Sequence, residues 1–125
     1  MVRAIHTDKA PAKPEDFSQA TMTDDLVFTA GQAPMTARGE IRDDDSLADQ
    51  TRLCLENLAA VLDAAGTDLG SVLSTTVYLR DMDGFDEMNA VYQEFFSHPM
   101  PARSVVEVDE VLKRTAVEIE AVATR

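Results

Sequence analysis

Between Ser46 and Gly66 the hydrophobic pattern of the chain changes its period. In "SLADQTRLCLENLAAVLDAAG" apolar residues fall at Leu47, Cys54, Leu55, Leu58, Val61, Leu62 and Ala65, the spacing of an amphipathic helix. Ser46, with Asp49 three residues on, approximates a capping box, and Gly66 supplies a natural stop. The single cysteine lies inside this helix, where a free thiol is a small buried residue, and one cysteine allows no intrachain disulfide.

The segments around the helix read as strands. "VRAIH", "SQATM" and "DLVFTAGQAP" precede it, and "SVLSTTVYLR" follows, with Leu73, Thr75, Val77 and Leu79 on one side and Val72, Ser74, Thr76 and Tyr78 on the other. Asp83 is placed to cap a second helix, "GFDEMNAVYQEFF", whose buried stripe is Phe85, Met88, Tyr92 and Phe95, widened by Val91 and Phe96. "ARSVVEV" and "TAVEIEAVA" end the chain as two more strands. The order β-β-β-α-β-α-β-β makes an α/β (α+β) chain in which two helices cover one face of a mixed sheet. In the last strand Val117, Ile119 and Ala121 should face the helices and Glu118, Glu120 and Val122 should face away. The uncovered face is polar without being fully charged, which fits either solvent or identical subunits.

Length and composition narrow the function. A chain of 125 residues is expected to form one domain, residues 1–125. No apolar run approaches the ~18–20 residues that span a bilayer, and the N-terminal segment has no apolar signal core, so a cytoplasmic protein is expected. The net charge of −12 argues against nucleic-acid binding, which needs Lys and Arg to displace counterions. Only Lys9, Lys13 and Lys113 are lysines, and an acidic, lysine-poor surface is also one that a cell of high internal salt favours. The acidic run "RDDDSLADQ" reads as a solvated turn leading into the first helix.

No GxGxxG, P-loop, GxSxG, HExxH or CxxC is present, and His6 and His98 lie far apart in turn-like contexts. What remains is Arg103, which opens a small, apolar strand, and the carboxylates of the final strand. Alternation puts Arg103, Val105 and Glu107 on one side, expected to face away from the helix-covered core, and Ala102, Ser104, Val106 and Val108 on the other. A hairpin of the last two strands would bring Arg103 and Val105 beside Glu118 or Glu120. Two outcomes stay open there: a structural ion pair, or a guanidinium fork that binds a substrate carboxylate while a neighbouring carboxylate handles water or protons.

The segments "FSQA" (17–20), "VFTAGQAP" (27–34), "QTRLCLENLAAVLDAAG" (50–66), "VLSTTVYLRDMDGFDEMNAVYQEFF" (72–96), "PARSVVEV" (101–108) and "VEIEAVA" (117–123) together resemble the RidA family, also called YjgF/YER057c/UK114. The resemblance implies a chorismate-mutase-like six-stranded mixed sheet with two helices on one face, assembled as a homotrimer with clefts between subunits. It also implies hydrolysis of reactive 2-enamine or 2-imine acids to 2-oxo acids and ammonia, with no cofactor and no metal. Residue by residue, Arg103 would clamp the substrate carboxylate and Glu118 would position water or relay a proton. Asn89, Gly31 and the backbone at Val105 would line the cleft. Phe17 stands where well-studied members have Tyr, and Ala30 replaces Ser, so two hydroxyls near the substrate are missing. A non-catalytic trimer binding small carboxylates, or acting as a chaperone, is the alternative. An endoribonuclease role, attached to some relatives, conflicts with the charge.

Overall fold

The computed structural model describes residues 1–125. Three short strands, β1 (Arg3–Ile5), β2 (Ala20–Met22) and β3 (Leu26–Thr29), lead into helix α1 (Leu47–Ala64). Strand β4 (Val72–Leu79), helix α2 (Phe85–Phe95), β5 (Ala102–Glu107) and β6 (Val117–Thr124) follow. They form one six-stranded sheet in the order β1-β2-β3-β6-β4-β5, antiparallel throughout except where β5 lies parallel to β4.

The period change at Ser46 becomes α1. The Ser46 hydroxyl accepts from the Asp49 amide at 3.1 Å, and Gly66, at φ +83°, turns the chain in the left-handed region where a Cβ is costly. Cys54, Leu55, Leu58, Val61 and Leu62 are fully buried, the leucines and the valine contributing about 1.5–3 kcal/mol each. Burial also pushes the Cys54 thiol well above its usual range, so it stays protonated and serves as packing.

Val117, Ile119 and Ala121 of β6 and Val77 and Leu79 of β4 meet this layer, as the alternation of their strands predicts. A register shift between Val72 and Ser74 breaks the alternation of β4 at its start. Val72 is therefore buried along with Thr75, Val77 and Leu79, and Leu73 is half exposed, although alternation grouped Leu73 with those three and Val72 with the opposite side. The cap of α2 also differs: Gly84 occupies the N-cap position after a short 3₁₀ turn at Met82–Gly84, and it is Asp81 that accepts, from the Asp83 amide at 2.9 Å.

The expected hairpin of the last two strands does not form. Strand β6 enters the sheet between β3 and β4, while β5 is the outer strand, paired with β4 in the register Thr75 to Arg103 and Val77 to Val105. The β4-α2-β5 unit is a parallel crossover, which returns the chain beside the strand it left. Because Arg103 is level with Thr75, whose hydroxyl meets Tyr92 of α2, Arg103 lies on the helix-covered side of the sheet. The expectation that it faces away is corrected: no β6 carboxylate stands beside it.

Candidate functional site

Two groups of residues emerge, on opposite sides of the sheet. The first surrounds Glu118. Glu118 is level with Tyr78 on β4, three residues from Thr75, and so points to the side without helices. A cleft of about 470 Å³ opens there, bordered by Lys13, Phe17, Ala30, Gly31, Leu112 and Glu118.

The walls of this cleft are held by backbone and amide bonds. Gln32 exchanges both backbone bonds with Ile119, at 2.8 and 3.1 Å, which lays the 30–33 loop against β6 beside Glu118. Asn57 of α1 donates from its amide to the carbonyls of Ala33 and Met35, fixing the same loop from the other side. Buried Gln19 accepts from the Thr7 amide and donates to the carbonyls of Thr7, Ala10 and Pro11, and so ties down the segment that carries Lys13 and Phe17. Sequence periodicity reads none of these glutamine and asparagine roles, because each depends on loop carbonyls that have no pattern.

Gly31 is where the cleft is tightest. A Cβ at that position would collide with Glu118 Oε2 and approach Glu118 Cδ to 2.8 Å, so the missing side chain is the space the carboxylate occupies. Glu118 itself is half buried. Burial first, and the neighbouring Glu120 charge second, raise its carboxyl above the ordinary carboxylate value, which makes it a stronger base than a free glutamate. Phe17 is 48% exposed at the cleft, an apolar surface open to a ligand or to a second chain.

The second group surrounds Arg103. Its Nη1 donates to Asn89 Oδ1 at 2.6 Å, and its guanidinium carbon lies 4.7 Å from the Tyr92 ring centroid and 5.4 Å from that of Phe85. Arg103 is exposed and takes part in none of the ion pairs of the fold. Val105, two residues on, is partly buried against the core. The structure thus brings Phe17, Ala30, Gly31 and Glu118 together, and Arg103, Asn89 and Val105 together, with the sheet between the two groups.

A family model described as "Endoribonuclease L-PSP" matches residues 7–125. RutC family protein PH0854 of Pyrococcus horikoshii is 45% identical over 124 residues, 98% of each chain. A 2-iminobutanoate/2-iminopropanoate deaminase of Escherichia coli K12 is 37% identical over 129 residues, covering 100% of this chain and 99% of its own. This chain belongs to the RidA family. Its six-stranded sheet and two helices are the chorismate-mutase-like fold of RidA proteins. The crystal structure of Escherichia coli TdcF with bound serine superposes at a TM-score of 0.90, with 36% identity over 98% of each chain. Among RidA sequences, membership covers the whole set of segments that carried the resemblance, from "FSQA" through "VEIEAVA".

Proposed function

We propose that this protein is a hydrolytic deaminase that converts reactive 2-enamine and 2-imine acids to 2-oxo acids and ammonia. The observation that carries the proposal is an arginine held in place yet left without a carboxylate partner. In a chain of net charge −12, Arg103 has its guanidinium fixed by Asn89 and two aromatic rings and its charge unmatched by any ion pair. Five donors in a planar fork suit a carboxylate, and only Nη1 is committed within the chain.

The chemistry asks for little beyond placement. The carbon of a C=N bond is already electrophilic, so a water held beside it adds readily once both are oriented. Glu118 takes a proton from that water as oxygen bonds to carbon and returns it to the nitrogen as the C=N π bond opens, giving a carbinolamine. Glu118 then carries the hydroxyl proton to the amine, the carbon–nitrogen bond breaks as the C=O bond forms, and a 2-oxo acid and ammonia leave with Glu118 again ionised. The raised carboxyl of Glu118 favours this shuttling. The curated name of the 37%-identical relative supports the reaction class.

Arg103 and Glu118 lie on opposite sides of one sheet, so a single chain does not hold a complete site. Two copies do, if the Arg103 group of one meets the Glu118 cleft of the next, as in a homotrimer with three clefts. The side of the sheet without helices is suited to such packing, since Phe28, Leu73 and Val106 are each at least 41% exposed there. Ammonia release from freshly generated 2-iminobutyrate tests the proposal. Arg103→Ala should abolish turnover with the assembly intact, and hydrolysis at the wild-type rate by that variant refutes the clamp.

A further inference from the structure

We infer that Tyr92, anchored by Thr75, is a positioning residue of this site: its ring face sets the plane of the Arg103 guanidinium before any substrate binds. The inference rests on the reading of Arg103 as the carboxylate clamp. An arginine on an outer strand has many rotamers open to it, and a fork that must first be ordered binds a carboxylate more weakly than one already aligned. Arg103 is on such a strand and is exposed, yet three side chains of α2 hold it. Phe85, Asn89 and Tyr92 follow one another at i, i+4 and i+7, so they share the helix face that overlies β5.

Tyr92 is the fixed member of the three. It is 1% exposed, and its hydroxyl is 2.7 Å from Thr75 Oγ1 in a buried bond. Thr75 is also the register partner of Arg103 on the neighbouring strand. The chain of contacts therefore closes on itself, from the Arg103 backbone through β4 to Thr75, through the Tyr92 hydroxyl to its ring, and back to the guanidinium at 4.7 Å. Phe96 also packs against the Tyr92 ring, at 4.7 Å between centroids, which limits tilting. Burial raises the Tyr92 phenol, against lowering by the Thr75 bond and the Arg103 charge, so the ring stays neutral under the cation. With Nη1 taken by Asn89 and one face covered by Tyr92, the free edge of the fork remains for the substrate.

A residue that merely filled the core would alter stability and leave substrate affinity alone. Tyr92→Leu should raise KM for 2-iminobutyrate about tenfold with kcat within about twofold, and Tyr92→Phe, which keeps the ring, should restore KM to within about threefold. In ¹⁵N-labelled protein the Arg103 Nε–H resonance should carry a ring-current shift that is kept in Tyr92→Phe and lost in Tyr92→Leu. If Tyr92→Leu does not fold, Phe85→Leu, at the more exposed second ring, should raise KM about threefold. A folded Tyr92→Leu with wild-type KM and an unchanged Nε–H shift overturns the inference, as does a Tyr92→Phe that loses as much affinity as the leucine variant. The resonance arm needs no turnover. If Arg103→Ala hydrolyses the imine normally, the clamp reading fails by itself, and the shift still reports whether Tyr92 holds the guanidinium.

Discussion

Replacing Gly31 with alanine adds one methyl group at the point where the 30–33 loop touches Glu118. The backbone tolerates it, because Gly31 is not among the glycines at positive φ. The side chain opposite does not. The new Cβ would lie 2.8 Å from Glu118 Cδ and 3.1 Å from Cγ, where ordinary contact begins at 3.4 Å, and it would collide outright with Oε2. Glu118 must swing by about 0.6 Å at Cδ, and by more at its oxygens. Displacements of about 1 Å in a catalytic group cost roughly 10²-fold in rate. Gly31→Ala should therefore lower kcat about a hundredfold. It should change stability by less than about 1 kcal/mol, since a half-exposed glutamate can turn toward solvent without leaving a cavity. Steady-state ammonia release and urea unfolding measure the two effects. In a Glu118→Ala background the same methyl group should cost almost nothing further, because residues acting through one another are not additive. A folded Gly31→Ala that keeps kcat within threefold refutes the close fit between loop and carboxylate.

The other predictions concern charge and the core. Glu118 has a raised carboxyl in the fold, so the native state binds more protons than the unfolded chain just above the ordinary carboxylate range. Its contribution to stability is then fully present below the unfolded pKa and is lost as the pH rises through the folded value. Glu118→Gln should thus melt higher than the wild type at pH 8, with the difference shrinking toward zero at pH 4, although its turnover falls by about 10²–10⁴. Equal melting temperatures at both pH values contradict the desolvation of that group. Leu58, fully buried on α1, should cost about 2–5 kcal/mol when cut to alanine, read as a lower urea midpoint with unchanged slope. With a net charge of −12, the wild type should unfold at higher temperature in molar KCl, where the Debye length is ~3 Å, than in dilute buffer. A flat response removes the basis for a halophilic source.

Burial signals explain which elements the sequence made legible. Helix α1 and strand β6 each have one buried face and one more open to solvent, with Asp49, Glu56 and Asp63 exposed on α1, so period and face could be read from residues such as Leu58 and Ile119. Strand β5 has no such contrast. Apart from Val105 its residues are exposed on both sides, because it is the outer strand, and alternation could not tell which way Arg103 points. The pairing error has the same origin, since nearness in sequence favoured a hairpin with β6. The strand-helix-strand run from Val72 to Glu107 was the contrary signal: a helix between two strands on one layer calls for parallel neighbours. The residues of both groups came from the resemblance, and that the sheet separates Arg103 from Glu118 could be read only from the fold. The stacking role of Tyr92 was hidden because its spacing on α2 is also that of a core residue, and it is both.

The central claim is that a working site takes Arg103 from one copy and Glu118 from another. Arg103→Ala and Glu118→Gln chains, each inactive alone, should be unfolded together in equal amounts and refolded, and ammonia release from 2-iminobutyrate measured. In a randomly mixed cyclic trimer one site in about four receives an intact arginine and an intact glutamate, so about a quarter of wild-type activity should return. A mixed preparation that reassembles and stays as inactive as its parents contradicts the claim.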